Sequence, residues 1–271
     1  MENCKIDLNK KIITFNRLSN ENIVNAFTLK PFDFSNNGKN IIMDSNNEIK
    51  TNSEKNENGK IENLKNMLGI NLTTSKIIKP VQKHTSNVQI VDETNIDNYF
   101  DNTDGLITNL KNVALATSLA DCQGILIYDP NKRVIGNVHS GWRGTLKRIA
   151  INAIHLMEEK FNSNPADIEI FICPSILKCC FEVDEDVEIL FRNKFNDINI
   201  DQFIETRNKT KNQKFYIDTV GINKAVLVKE GIKQENIITS NICTKCNSDK
   251  IHSYRADGKN AGRNLSVIMM T

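Results

Sequence analysis

Apolar and polar positions alternate through the first part of the chain: Ile6 and Leu8, then Ile12, Ile13 and Phe15, then Val24, Ala26 and Phe27. A period of two marks half-buried strands, so two or three strands are expected before residue 35. Residues 36–60 are polar and low in complexity, and read as a surface loop open to a docking role. A helical spacing follows, with Ile61, Leu64, Met67 and Leu68 on one face and Gly69 as a stop. Short strands are expected at 77–78, 88–91 and 104–108. Longer ones follow at 113–120, 124–128 and 134–138, the last two joined by the turn Asp129-Pro130-Asn131.

Residues 145–161 place Leu146, Ile149, Ala150, Ala153, Ile154 and Met157 on one side of an amphipathic helix. A buried strand is expected at 168–172, helices at 186–195 and 217–230, and extended segments at 237–238 and 266–270. Asp218 is a fitting N-cap for the second of these helices. Strands and helices interleave without a repeat or a linker. The expected class is α/β (α+β): a single domain over 1–271, made of packed mixed β-sheets flanked by helices.

Hydrophobic residues at 39% and charged residues at 25% suit a soluble globular protein. A net charge of +2 gives no electrostatic footprint for nucleic acid. No apolar run approaches the ~20 residues of a membrane helix, and no apolar leader opens the chain. Seven cysteines are an odd number, which favours reduced thiols and a cytoplasmic location over a disulfide framework.

The chemistry centres on Cys122, which follows one apolar run, and on His139, which closes another and precedes Ser140-Gly141-Trp142-Arg143-Gly144. His84 lies upstream. Two imidazoles and one thiolate suit a catalytic zinc that keeps a position open for water. Each residue alone also has an ordinary reading as core. Cys122 and His139 could instead form a cysteine hydrolase pair, nucleophile and base. Cys243-x-x-Cys246 is a lone CxxC, too little by itself for a second zinc or a redox pair. Cys179 and Cys180 read as packed side chains. His155 reads as ordinary, while His252 is close enough to Arg255 in sequence to line a pocket.

Gln82 with His84, Ala120-Asp121-Cys122, and His139-Ser140-Gly141-Trp142-Arg143-Gly144 together resemble the YfiH/laccase-domain, polyphenol oxidase-like family. Thr103 to Thr108, Pro174-Ser175-Ile176, Cys179 to Val183, Cys243-Thr244, Ser253-Tyr254-Arg255 and Gly262-Arg263 extend the resemblance. It implies one zinc on His84, Cys122 and His139, and purine nucleosides and phosphate as partners. It also implies phosphorolysis of adenosine, inosine, guanosine and methylthioadenosine, with adenosine deamination besides. His84, Cys122 and His139 are then the catalytic residues. Lys30, Gln82, Asp121, Arg143 and Arg255 are expected at the substrate, with Arg263 more structural, and Asp121 or Glu182 as proton shuttle. The chain departs from the family pattern at Lys30, Thr85, Cys173 and Ala256. Copper is disfavoured, because a laccase-type oxidase needs on the order of ten imidazoles and the chain has four histidines.

Overall fold

Strand pairing sorts the described residues of the computed structural model (4–19, 22–35, 64, 67–69, 75–207 and 213–271) into three sheets. The first runs β1 (Cys4–Asp7), β2 (Ile12–Phe15), β3 (Ile23–Thr28), β15 (Asn264–Met270), β7 (Val113–Leu119) and β4 (Lys76–Ile78). The second runs β14 (Ile237–Thr239), β10 (Glu169–Ile172), β8 (Gln123–Asp129), β9 (Val134–Ser140), β6 (Gly105–Thr108) and β5 (Val88–Ile90). The third is small: β11 (Glu182–Val183), β13 (Lys214–Ile217) and β12 (Ile204–Arg207). Pairing is mixed: β4–β7, β5–β6 and β10–β14 are parallel, and neighbours such as β8–β9 and β7–β15 are antiparallel. This is the mixed α/β class expected from the sequence. The polar 36–60 segment and Ile61 lie outside the described residues. Leu64, Met67 and Leu68 are helical, and Gly69 takes a φ of 65° after them.

The apolar runs of the central strands follow from burial on both faces. In β8, Leu126 points with Leu115, Ile135 and Ile268 into the layer between the two large sheets. Its neighbours Ile125 and Ile127 point the other way, onto the helices. In β7, Leu115 and Leu119 face the second sheet, while Ala114 and Ala116 pack outward with Phe34, Leu64 and Met269. A strand covered on both sides reads as a continuous apolar stretch.

One polar group interrupts the layer between the sheets. Asn137 of β9 is fully buried and donates to the carbonyls of Leu115 and Ser266, each at 2.9 Å. Its Oδ1 accepts from the hydroxyls of Thr117 and Ser266. With its amide fully partnered, the network fixes the register of one sheet on the other.

The expected helix over 145–161 is two helices, Trp142–Leu146 and Ile149–Phe161. Arg148 sits between them in the left-handed region, at φ 55°. It is held there by Asp197, which also accepts from Lys229 at 2.7 Å. The break turns the chain so that Ile149, Ala153, Ile154 and Met157 can cover the second sheet. The helices Glu185–Lys194 and Thr219–Lys229 agree with expectation, and the Asp218 side chain accepts from Gly221 N at 2.8 Å. Strands β12 and β13 were not legible, because their burial is intermediate at most positions and they are rich in charge.

Two cations on one carboxylate hold Asp197 down at about 2, chiefly through the Arg148 and Lys229 hydrogen bonds. A depressed carboxylate stabilises the fold above its unfolded value of about 3.9 and stops doing so as pH falls through about 2. Asp197→Asn is therefore expected to cost about 1 kcal/mol at neutral pH, given its partial exposure. In chemical denaturation, the gap from the wild type narrows below about pH 4.

Candidate metal centre and its cleft

The strand directions bring the three candidate ligands together. β4 and β7 are parallel, so both leave the first sheet at the same end. Each then crosses to the second sheet, β4 through the segment bearing His84 and β7 through the turn bearing Cys122. β5 and β8 start where antiparallel β9 ends: Gly124 is paired with His139, and Gln123 with Ser140. Two crossovers and one strand end thus meet at one place. The ligand atoms of His84, Cys122 and His139 all lie within 4.8 Å of one another. Cys122 Sγ is 3.9 Å from His84 Nε2, and the imidazole centroids are 4.8 Å apart, edge to face.

Asp104 orders this group, a role the sequence reading missed by treating it only as the start of a strand. It is fully buried. Its Oδ1 receives His139 Nδ1 at 2.8 Å and the backbone N–H of His84 at 3.0 Å. Its Oδ2 receives the N–H groups of Lys83 and Thr85 and the Thr85 hydroxyl. Five donors satisfy one buried carboxylate. The bond to Nδ1 aims His139 Nε2 at the centre, as a carboxylate behind a ligating histidine does. It also lets His84 keep a φ of 57°. Thr85, a departure from the family pattern, contributes its hydroxyl here.

Burial pushes the Cys122 thiol up, but His139, with help from His84, outweighs it and brings the thiol down to about 6. Burial likewise disfavours imidazolium at His139, yet Cys122 and Asp104 raise it to about 9. Desolvation works against ionised Asp104, but the His139 and Thr85 hydrogen bonds hold it near 2. The pocket favours thiolate, the form that binds metal. Gly141 makes room: a Cβ there would lie 2.9 Å from both Cys122 Sγ and His84 Cδ2. Donor chemistry, convergence, the backing carboxylate and this clearance all fit one metal ion.

The group opens into a cleft of about 840 Å³, a size that suits a small organic ligand. Arg143, Arg255, Arg263 and Lys79 line it, together with Trp142, Ile176, Phe181 and Tyr254. Arg255 donates to the carbonyls of Cys180 and Glu182, both at 3.0 Å. Neutral acceptors leave its charge available to an anion. Arg143 lies over the Trp142 ring at 4.1 Å, a cation–π contact. Lys79, which the sequence reading did not single out, is largely buried at the cleft.

Gln82 and Asp121 also line the cleft, each tied down by hydrogen bonds within the protein, whereas Lys30 and His252 do not. Gln82 bonds through both ends of its amide to Ser118, tying the His84 segment to β7. Asp121, at φ 80°, accepts from the Thr244 hydroxyl and from Arg255 N, each at 2.6 Å. It therefore positions the Arg255 segment. Glu182 lines the cleft and accepts from the Tyr216 hydroxyl. Lys30 is not among the lining residues; its ammonium bonds to the Ser248 carbonyl at 2.7 Å and to Asp257 at 3.3 Å. His252 faces away as well, with Nε2 on the Phe32 carbonyl, and His155 pairs with Glu230 on the surface. Two of the four histidines therefore stand at the centre, too few for a cluster of copper ions.

Comparison with known proteins agrees with this geometry. Purine nucleoside phosphorylase YlmD of Bacillus subtilis is 36% identical over 168 residues, covering 62% of this chain and 59% of that protein, less than two thirds of its length. Adenosine deaminase RL5, from an unknown prokaryotic organism, is 31% identical over 208 residues, covering 74% of this chain and 77% of that protein. The crystal structure of a hypothetical Bacillus licheniformis protein, YfiH, superposes with a TM-score of 0.82 at 24% identity over 100% of both chains. YlmD of Geobacillus stearothermophilus gives 0.80 at 23% identity, over 100% of this chain and 99% of that one. At such identity the two structures speak for the fold alone. The model of the multi-copper polyphenol oxidoreductase laccase family matches residues 28–271, and the chain belongs to that family.

Proposed function

We propose that this protein is a zinc-dependent purine nucleoside phosphorylase that also deaminates adenosine. The observation carrying the reading is a two-imidazole, one-thiol centre at the edge of a nucleoside-sized cleft with guanidinium groups on its wall. Relatives named purine nucleoside phosphorylase and adenosine deaminase support it. His84, Cys122 and His139 would hold the ion. A zinc in such a site supplies Lewis acidity and a hydroxide nucleophile near neutral pH.

The chain's own groups account for the rest. In phosphorolysis a phosphate oxygen bonds to the anomeric carbon, the C1′–N9 bond breaks, and its electron pair leaves with the purine, which takes up a proton. Arg255 and Arg143 bind the phosphate and hold it against the ribose. Ile176 and Phe181 provide apolar walls for the base and help exclude water. In deamination water adds at C6 and ammonia leaves, with Glu182, a carboxylate on the cleft wall, to move a proton.

Incubation with adenosine and phosphate tests the reading. Adenine with ribose 1-phosphate is the expected product pair, inosine the product of deamination, and unchanged substrate the result that ends it. Arg255→Ala is expected to lower kcat/KM for phosphate about 10–100-fold, the worth of a charge-assisted contact. Arg255→Lys, which keeps the charge, should lose less.

One observation favours a second reading. Cys122, His139 and Asp104 form a thiolate–imidazolium–carboxylate series that would suit a cysteine hydrolase. His84, a second imidazole on the same sulfur, has no task in that chemistry and has one in metal binding. Full activity after complete metal removal would select the hydrolase.

A further inference from the structure

Four more cysteines converge away from the first centre. Cys179 and Cys180 are adjacent in the segment before β11, and Cys243 and Cys246 form the CxxC that stood alone in the sequence. Their sulfurs all lie within 4.8 Å of one another. Cys179 is 3.7 Å from Cys180 and 3.8 Å from Cys246, and Cys180 is 3.4 Å from Cys246. A tetrahedron of sulfurs each about 2.3 Å from a central zinc has edges of about 3.8 Å. All four are free thiols. Apolar packing does not explain the cluster, because Cys179 and Cys246 are exposed and only Cys243 is buried.

The geometry points to a second, structural zinc site with four thiolate ligands, Cys179, Cys180, Cys243 and Cys246. The backbone is already set for it. Thr244 N donates to the Ser175 carbonyl at 3.0 Å, and Ser175 N to the Ile242 carbonyl at 3.3 Å, so the two segments run side by side. Asn247 caps the CxxC turn by donating through both its side chain and its backbone to the Cys243 carbonyl. Four protons leave as zinc enters, and the resulting centre carries a net charge of −2. Lys178 and Lys245, each next to a ligand in sequence, and Arg255, on the Cys180 carbonyl, offset that charge. Four sulfur donors select zinc or iron over hard cations, and a closed ligand shell makes the site structural.

The site would act as a clamp. The first segment leads into Phe181 and Glu182 of the cleft wall; the second leads to Arg255, through Thr244 on Asp121. The ion ties these segments together independently of the reaction run in the cleft.

Zinc content and cobalt substitution test this. Protein purified under reductant without chelator is expected to hold two zinc ions per chain. Cys122→Ala should keep one, and its cobalt form should show the strong near-ultraviolet sulfur-to-cobalt band of a tetrathiolate. Adding Cys179→Ser and Cys246→Ser should remove both the ion and the band. If that variant fails to fold, thiol counting in Cys122→Ala with a strong chelator serves instead: four thiols become reactive as zinc is released. The proposal is overturned if Cys122→Ala binds neither zinc nor cobalt. Binding that survives the serine changes, iron in place of zinc, or a disulfide within the cluster in metal-free protein would overturn it too.

Discussion

Cys122→Ala is expected to empty the first centre and, on the proposed function, to bring nucleoside turnover down to background. Losing a group that only orients a metal ligand costs about 10–100-fold in metal affinity, and loss of a direct ligand exceeds that. The sulfur also lies beside both imidazoles. Its removal leaves two neutral nitrogen donors and none of the anionic charge that a divalent cation requires. Zinc analysis after dialysis, together with product chromatography, reads both effects. The thermal midpoint of the metal-free forms separates them from misfolding, since a partly exposed cysteine trimmed to alanine leaves a small void. A variant that kept full zinc at this site and full turnover would remove the mechanism. Cys122→Ser should fall close to alanine, because a serine hydroxyl does not ionise to supply the lost charge.

Asp104→Asn is the second large effect. The amide keeps the shape of the carboxylate, yet it must turn an NH2 toward groups that are themselves donors: His139 Nδ1–H and the N–H of His84 on one side, Lys83, Thr85 and the Thr85 hydroxyl on the other. Two or more of them lose their acceptor in a buried place. A stability loss of roughly 2–5 kcal/mol follows, seen as a lower denaturation midpoint without added metal. Zinc affinity should also fall about 10–100-fold, because His139 is no longer held in the tautomer that offers Nε2. A variant with normal stability and weaker zinc would assign Asp104 to the metal alone. The reverse outcome would make it a fold residue only.

Much of the architecture was legible because the central strands and the covering helices bury whole faces. Leu126 between Ile125 and Ile127 reads as a strand covered on both sides, and it is one. The spacing over 145–161 predicts one continuous helix because the apolar positions carry across Arg148, whose left-handed turn depends on the distant Asp197. Strands β12 and β13 escaped because their polar faces carry the ion pair Arg207–Glu205 and the Arg207–Tyr216 stack in place of an apolar stripe. At the site, the ligand residues stood out by type, while Asp104 and Lys79 did not. A buried carboxylate is recognised by the donors around it, and those come from a segment that pairing, not sequence, brings near. The four-cysteine cluster is hidden in the sequence for the same reason: Cys179-Cys180 and Cys243-x-x-Cys246 lie far apart along the chain, and the bridge between Ser175 and Cys243 joins them.

The crossover geometry has a mechanical consequence. His84 and Cys122 leave the first sheet, and His139 ends a strand of the second. An ion on all three would pin one sheet to the other, and the sheets could not separate without releasing it. Metal at a hundredfold excess over its dissociation constant would add about 2.7 kcal/mol against opening. Without its ion the protein would be looser and, on the proposed function, idle as well, and an easier target for proteases.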